Sequence, residues 1–192
     1  IYANSEELRS ALIYSQEWTG GGAYPSYGII AIGIAPDSLI WGGKAVAHEL
    51  AHLVVFQATN SPYLDMPTWL SEGLATYAEG QLRQDLNDVF VDALADDSLP
   101  SVRSLGSSFP VDPLEARLSY AASFRLVEFL ISNYGDDKMT QLLRVFKQGS
   151  TYDDALLEVF GFDVDGLEKL WHSSLSVKER LVIMLPVEAD LA

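Results

Sequence analysis

The apolar positions of this chain predict strands only near its amino terminus. Residues 27–35 read Tyr-Gly-Ile-Ile-Ala-Ile-Gly-Ile-Ala, and Pro36 follows them. A short isoleucine-rich run that ends at a proline is typical of a strand. Residues 1–3 look like the end of a second strand, whereas the three consecutive glycines within residues 19–26 predict a loop.

Elsewhere the apolar residues recur every three or four positions, which predicts helices. Asn4 can cap a short helix that continues to about Trp18, and a longer helix spans Trp41–Thr59. Glycine or proline follows most of the later segments, as is common at helix ends. These later helices are predicted at about 67–79, 84–97, 114–134, 136–148, 151–160 and 163–175, with a loop over 99–113.

Strand-forming sequence is therefore confined to the first fifth of the chain, and helices dominate the rest. We predict an α+β fold for residues 1–175, with an α/β lobe at about 1–59 and a helical lobe at about 60–175. Residues 176–192 are predicted to form an extension or linker with at most one short helix.

Two of the three histidines stand four residues apart in the predicted helix 41–59, where residues 48–52 read His-Glu-Leu-Ala-His. Positions i and i+4 lie on one face of a helix, so His48 and His52 can bind one metal ion. Glu49 projects to the side, where it can reach a water on that ion but not the ion itself. The helix around them is otherwise apolar, and a metal would compensate for burying these polar groups.

Glu72 is the candidate for a third ligand. It lies in the predicted helix 67–79, on the same side as Trp69 and Ala75. A carboxylate among core-facing residues needs a partner. The chain contains no cysteine, so any metal must be held by histidine and carboxylate groups.

Composition narrows the classes of partner. The formal net charge is −15, which argues against nucleic acid and anionic membrane surfaces. No apolar run approaches the roughly 20 residues of a membrane-spanning helix. The oligomeric state stays open.

Several stretches together resemble the gluzincin metallopeptidases, and within them the bacterial peptidase MA-like domain. Their cores are related to thermolysin and to aminopeptidase N. The resemblance covers nearly the whole chain, to about Leu175. The residues that carry it are His48-Glu-x-x-His52, Pro67-x-Trp69-Leu70-x-Glu72-Gly73-Leu74-Ala75-x-Tyr77, Ser119-Tyr120-Ala121-Ala122-Ser123, Phe129-Leu130-x-x-x-Tyr134-Gly135, Ala155-x-x-x-Val159-Phe160-Gly161 and Leu167-x-x-x-Trp171.

The resemblance implies a thermolysin-like fold, in which a small sheet lies over the active-site helix and a helical lobe follows. It implies one zinc ion held by His48, His52 and Glu72, with Glu49 as general base for peptide-bond hydrolysis. Tyr120 matches a tyrosine that donates a hydrogen bond to the oxyanion. Glu79 matches a carboxylate of the aminopeptidase N-like enzymes and shares a helix face with Glu72, so we expect it to accept the second N–H of a ligating histidine.

The resemblance has limits. The G-x-M-E-N stretch with which aminopeptidase N-like enzymes bind a free amino terminus is absent. The catalytic histidine of thermolysin also has no clear counterpart, since His172 is the only other histidine and is expected to lie on the surface, away from the site. The substrate, and the choice between internal and terminal cleavage, stay open. An extracytoplasmic or secreted bacterial location is expected, alone or within a larger membrane-anchored protein. The alternative function is a non-catalytic peptide- or protein-binding module on a metallopeptidase scaffold.

Overall fold

A computed structural model of the chain describes residues 1–12, 20–62 and 66–184, with the backbone alone for residues 176–184. Helices make up most of it, and one small antiparallel sheet lies near the amino terminus. The strands are β1 (Gly21–Tyr24) and β2 (Ile29–Ile32). The helices are α1 (Ser5–Ala11), α2 (Leu39–Thr59), α3 (Thr68–Ala78), α4 (Gln84–Ala95), α5 (Pro113–Tyr134), α6 (Asp136–Lys147), α7 (Tyr152–Phe160) and α8 (Val164–Met184).

The predicted loop over residues 19–26 is wrong, because β1 lies within it. Gly21 pairs with Ile32 and Tyr24 pairs with Ile29 in the antiparallel ladder. Backbone groups make the ladder, so glycines join it without a side-chain pattern that would reveal them. The predicted strand 27–35 is real but shorter, since Gly28 adopts a left-handed φ of 65° before β2 begins. Residues 1–3 contribute a single parallel bridge, between Tyr2 and Gly33.

The helix predictions are largely confirmed, with one clear error at the end of the chain. Glycines with positive φ follow α5, α6 and α7 at positions 135, 149 and 161. The last helix was predicted to stop at 175, but α8 continues to Met184. No glycine or proline lies between Gly166 and Pro186, so nothing in that stretch ends the helix. The predicted continuation of α1 beyond residue 12 lies outside the described residues.

Helix α2 lies between the sheet and the later helices. It contacts β1 and β2 on one side, and α3 and α6 on the other. The main hydrophobic core is formed by the helices that follow, around the fully buried side chains of Trp69, Leu126 and Trp171. Consequently α2 presents one face to a cleft between the small sheet and the helical part. The helices of the described residues include none that is both long and apolar enough to cross a membrane.

Candidate metal centre

Three side chains from two helices converge at the middle of α2. Glu72 of α3 places its Oε2 atom 3.5 Å from Nε2 of His48 and 3.6 Å from Nε2 of His52. One ligand atom from each residue lies within 4.8 Å of the others, and all three residues are partly buried. The structure therefore brings together the three residues expected to bind the metal.

These donors fit a zinc ion. Zinc takes imidazole nitrogen at about 2.0–2.1 Å and carboxylate oxygen at about 2.0–2.2 Å in tetrahedral geometry. Two such ligand atoms lie about 3.4 Å apart, close to the two separations from Glu72. Histidine and carboxylate oxygen donors, without thiolates, are also compatible with other divalent transition metals. The cluster can therefore hold a metal ion, and its zinc identity belongs to the proposal below.

The other ring nitrogen of each histidine has a partner on α3 or at the residue that caps its carboxyl end. His48 Nδ1 lies 2.8 Å from Glu79 Oε1, and His52 Nδ1 lies 3.2 Å from Ser71 Oγ. Such contacts fix the ring orientation and leave Nε2 free to bind a metal. Sequence reasoning named Glu79 but missed Ser71. The available signal was its position directly before Glu72, on the helix that faces the histidines.

The carboxylates favour positive charge at this site. Burial opposes the charged form of His48, but the hydrogen bonds and charges of Glu72 and Glu79 together raise its pKa to about 9. Burial alone would raise the pKa of Glu72, but its interactions with His48 and His52 lower that pKa to about 2. Surroundings that hold a proton on an imidazole also attract a cation.

Glu49 is buried beside this cluster, with 9% of its surface exposed. Burial raises the pKa of its carboxyl group, against the opposing charges of His48 and His52. The backbone of β1 covers it closely: a Cβ atom added to Gly21 would lie 2.7 Å from Glu49 Oε1. A carboxylate whose pKa is raised is a stronger base than an exposed one, which suits a group that takes up a proton.

Tyr120 of α5 faces the same site from the other side. The centre of its ring lies 6.5 Å from that of His48. Burial and the nearby carboxylates of Glu72 and Glu49 raise the pKa of its hydroxyl group, so Tyr120 keeps its proton and remains a hydrogen-bond donor. Phe109, in the loop before α5, packs edge-on against the Tyr120 ring at 5.1 Å and supports it.

Small residues allow α5 to approach the metal centre. A Cβ atom added to Gly73 of α3 would lie 2.5 Å from the carbonyl oxygen of Ser123 on α5. Ser123 itself is fully buried and bonds within its own helix, to the carbonyl of Ser119. This close contact places Tyr120 of α5 next to Glu72 of α3.

The metal centre opens into a cleft of about 500 Å³. Residues 21–23 of β1 form one wall, and the last turns of α2 form another, from Val55 to Thr59. Strand β2 pairs with β1 on one edge, and the opposite edge of β1 has no partner strand within the part of the chain that the structure describes. The strand that lines the cleft is therefore β1, and no residue of the strand predicted over 27–35 is among the described lining residues.

His172 is not part of this site. It lies on α8, where its ring packs edge-on against Trp171 at 5.3 Å, and it does not line the described cleft. This agrees with the expectation that His172 lies away from the site.

Comparison with known proteins gives one match. The model of a family described as the peptidase MA superfamily matches residues 1–177, which is most of the chain. No curated protein and no solved structure gives a significant match.

Proposed function

The chain belongs to the peptidase MA superfamily, and from this premise we propose that it is a zinc-dependent metallopeptidase. The observation that carries the proposal is the convergence of His48, His52 and Glu72 directly beside the buried carboxyl group of Glu49. The small sheet over α2 and the helical part after it are compatible with a thermolysin-like arrangement. All of these groups open into one cleft that is large enough for a peptide.

His48, His52 and Glu72 are the proposed zinc ligands, with Glu79 and Ser71 holding the two imidazole rings. When bound, zinc supplies a Lewis acid and lowers the pKa of an attacking water to about 7. These three side chains would hold the ion and would leave room on it for that water. The hydrogen bond to Glu79 is charge-assisted and the one to Ser71 is not, so His48 is the more firmly held ring.

Glu49 is the proposed general base. Its carboxylate takes one proton from the water that attacks the peptide carbonyl carbon, and it then gives a proton to the leaving amine as the C–N bond breaks. The raised pKa of Glu49 suits this double role, because the group must first accept and then release the proton. The close cover by Gly21 restricts where the carboxylate can move.

Tyr120 is the proposed donor to the carbonyl oxygen as that oxygen gains negative charge. One donor of this kind is worth about 3 kcal/mol in comparable sites. The unpaired edge of β1 is the proposed binding strand for extended substrate, since backbone N–H and C=O groups there can pair with a peptide.

Replacement of Glu49 by glutamine tests the proposal. Glutamine keeps the shape but cannot accept the proton. We expect Glu49→Gln to retain zinc, measured by metal analysis after gel filtration, and to lose turnover of a denatured protein mixture by at least about 10²-fold. Chelation should abolish wild-type activity and added zinc should restore it.

Two outcomes would contradict parts of the proposal. Full activity of Glu49→Gln would remove Glu49 as the base. Stable zinc binding by the wild-type protein without cleavage of any protein or peptide in the mixture would favour the non-catalytic binding module instead. The variant Glu72→Gln is the control for the metal, since it should weaken zinc binding while leaving Glu49 in place.

A further inference from the structure

The cleft continues beyond the metal centre along the carboxyl-terminal half of α2. Val55, Phe56 and Thr59 lie three, four and seven residues after His52 and line the cleft with it, on one helix face. At 1.5 Å of rise per residue, Phe56 lies about 6 Å and Thr59 about 10 Å along the helix from His52. Side chains on one face of an extended peptide repeat every ~6.6 Å, so this part of the cleft is within reach of a substrate side chain near the reacting bond.

This part of the cleft is neutral, in contrast to the metal centre. Among the described residues, it is lined by Val55, Phe56, Thr59, Asn60, Ser61 and Met66. The ionisable groups among the described lining residues all lie at the other end, around the metal centre. A charged substrate side chain placed between Val55 and Phe56 would lose water without gaining an ion-pair partner among the described residues that line this part. An acidic one would also be repelled by Glu49 and Glu72.

The hydroxyl group of Thr59 does not make this part of the cleft a polar binding site. This hydroxyl donates a 2.8 Å hydrogen bond to the carbonyl oxygen of Val55, one turn earlier in the same helix. The donor is therefore used within α2 and is not available to a ligand. Met66 also lines this end. Its unbranched thioether can adjust to side chains of different shape.

We propose that the cleft beyond His52 is a specificity pocket for a neutral, apolar side chain of the substrate. Val55 and Phe56 are its selecting residues. This inference rests on the proposed function for the position of the peptide, but it concerns binding and is measurable without turnover. The occupant is a leucine-, methionine- or phenylalanine-type side chain.

The chain offers a matched pair of variants. Val55 is 7% exposed and lines the cleft, whereas the adjacent Val54 is 58% exposed on another face of α2. Both valines lie within α2, so replacement by alanine gives both positions the same small gain in intrinsic helix propensity. Only Val55→Ala enlarges the pocket.

The experiment measures retention of peptides from a randomised, end-blocked hexapeptide mixture on zinc-loaded protein, read by mass spectrometry. The parent is Glu49→Gln, so that bound peptides stay intact. We expect one position of the retained peptides to be enriched in leucine, methionine and phenylalanine and depleted in charged residues. Adding Val55→Ala should shift the ratio of phenylalanine- to valine-containing peptides by about tenfold, the scale of one or two methyl groups in an apolar pocket. Adding Val54→Ala should leave that ratio unchanged.

Equal retention of charged and apolar residues, or the same ratio with Val54→Ala and Val55→Ala, overturns the pocket. Failure of the proposed function is recognised separately, with the wild-type protein. Selective retention without any cleavage by the wild type keeps the pocket and removes the peptidase. Cleavage by the wild type without selectivity, either in binding or in the products, keeps the peptidase and removes the pocket.

Discussion

At the residue scale, sequence patterns did not reveal the contact between Gly21 and Glu49. Gly21 lies in β1, which was predicted as a loop, and its backbone packs against the carboxyl group of Glu49. Only a glycine leaves room there, since an added Cβ atom would approach Glu49 Oε1 to 2.7 Å. Gly22 lies next to it, and a Cβ atom there would meet nothing closer than the Tyr24 ring at 4.0 Å.

The glycine pair gives a prediction about catalysis. Gly21→Ala should displace the Glu49 carboxylate and lower kcat by one to two orders of magnitude, because misplacement by about 1 Å costs about 10²-fold. Zinc affinity should be unaffected, since the three atoms nearest to a Cβ added to Gly21 all belong to Glu49 and not to a metal ligand. Steady-state kinetics and zinc titration measure both. Gly22→Ala is the control, and equal kcat losses in the two variants would show that the strand in general, rather than the contact with Glu49, is responsible.

Glu79 gives a second prediction at this scale, about metal affinity. Its Oε1 atom lies 2.8 Å from His48 Nδ1, the ring nitrogen that does not face the proposed metal, and fixes the orientation of the ring. We expect Glu79→Ala to weaken zinc binding by about 10–100-fold, the usual effect of removing a partner of a metal-binding histidine. Competition with a chromophoric chelator measures it.

The control for Glu79 is Glu158→Ala, which removes the same charge from an exposed position on α7. If the two variants bind zinc equally, the effect is one of net charge alone and Glu79 does not hold His48. Ser71→Ala tests the corresponding contact with His52, and the neutral hydroxyl partner predicts a smaller loss.

At the element scale, the contact between α3 and α5 sets the distance between a proposed metal ligand and the proposed oxyanion donor. Gly73 follows Glu72 directly, and it packs against the backbone of Ser123 and the side chain of Val127. Two helices approach this closely only where one presents a residue without a side chain. Gly43 of α2 is also a helical glycine, but no atom lies within 4 Å of a Cβ added to it.

These two glycines predict opposite effects of the same substitution. Gly73→Ala should lower the free energy of unfolding by about 1–3 kcal/mol, because overpacking forces the helices apart. Gly43→Ala should raise it by about 0.5–1 kcal/mol, because alanine is the better helix former and nothing obstructs it. Urea unfolding in the presence of chelator measures both without a contribution from bound metal. A stabilising Gly73→Ala would contradict the close contact of α3 with α5.

At the scale of the whole molecule, an ion-pair cluster ties the loop before α5 to the last two helices. Arg103 pairs with Asp153 of α7 at 3.2 Å and with Asp165 of α8 at 2.9 Å. Asp153 also accepts a hydrogen bond from the backbone N–H of Val164, at the start of α8. The hydrogen bond from Arg103 and the one from Val164 lower the pKa of Asp153.

This cluster predicts a pH dependence of stability. A carboxyl group whose pKa is lower in the folded than in the unfolded chain stabilises the protein above its unfolded pKa of about 3.9. That contribution is lost as the pH falls through the folded pKa. Asp153→Asn should therefore lower the urea midpoint at pH 7, and its difference from wild type should narrow from pH 5 towards pH 3.

The control for Asp153 is Asp92→Asn. Asp92 is exposed on α4, and its side chain has no hydrogen bond or ion pair among the described residues. This variant should change the midpoint little at either pH. A difference for Asp153→Asn that stays constant from pH 7 to pH 3 would exclude ionisation as the cause.

The sequence by itself determined the parts that depend on local geometry. The spacing of His48 and His52 places them on one helix face whatever surrounds that helix. The helix that contains Glu72 was predicted from the periodic spacing of its apolar residues. The helical part was predicted for the same reason, because a 3.6-residue period and glycine at the helix ends are properties of neighbouring residues. The end of α8 was missed because residues 167–185 contain no such stop signal.

Only the tertiary structure decided which remote segments meet. Gly21 against Glu49, Ser71 against His52, and Phe109 against Tyr120 join residues from different elements. Glycine and serine carry no periodic signal, and β1 is held by backbone hydrogen bonds that every residue except proline can make. The part of the cleft beyond His52 likewise depends on tertiary structure, because Met66 comes to line it together with the last turns of α2. Contacts of this kind depend on how whole elements pack, which local patterns do not determine.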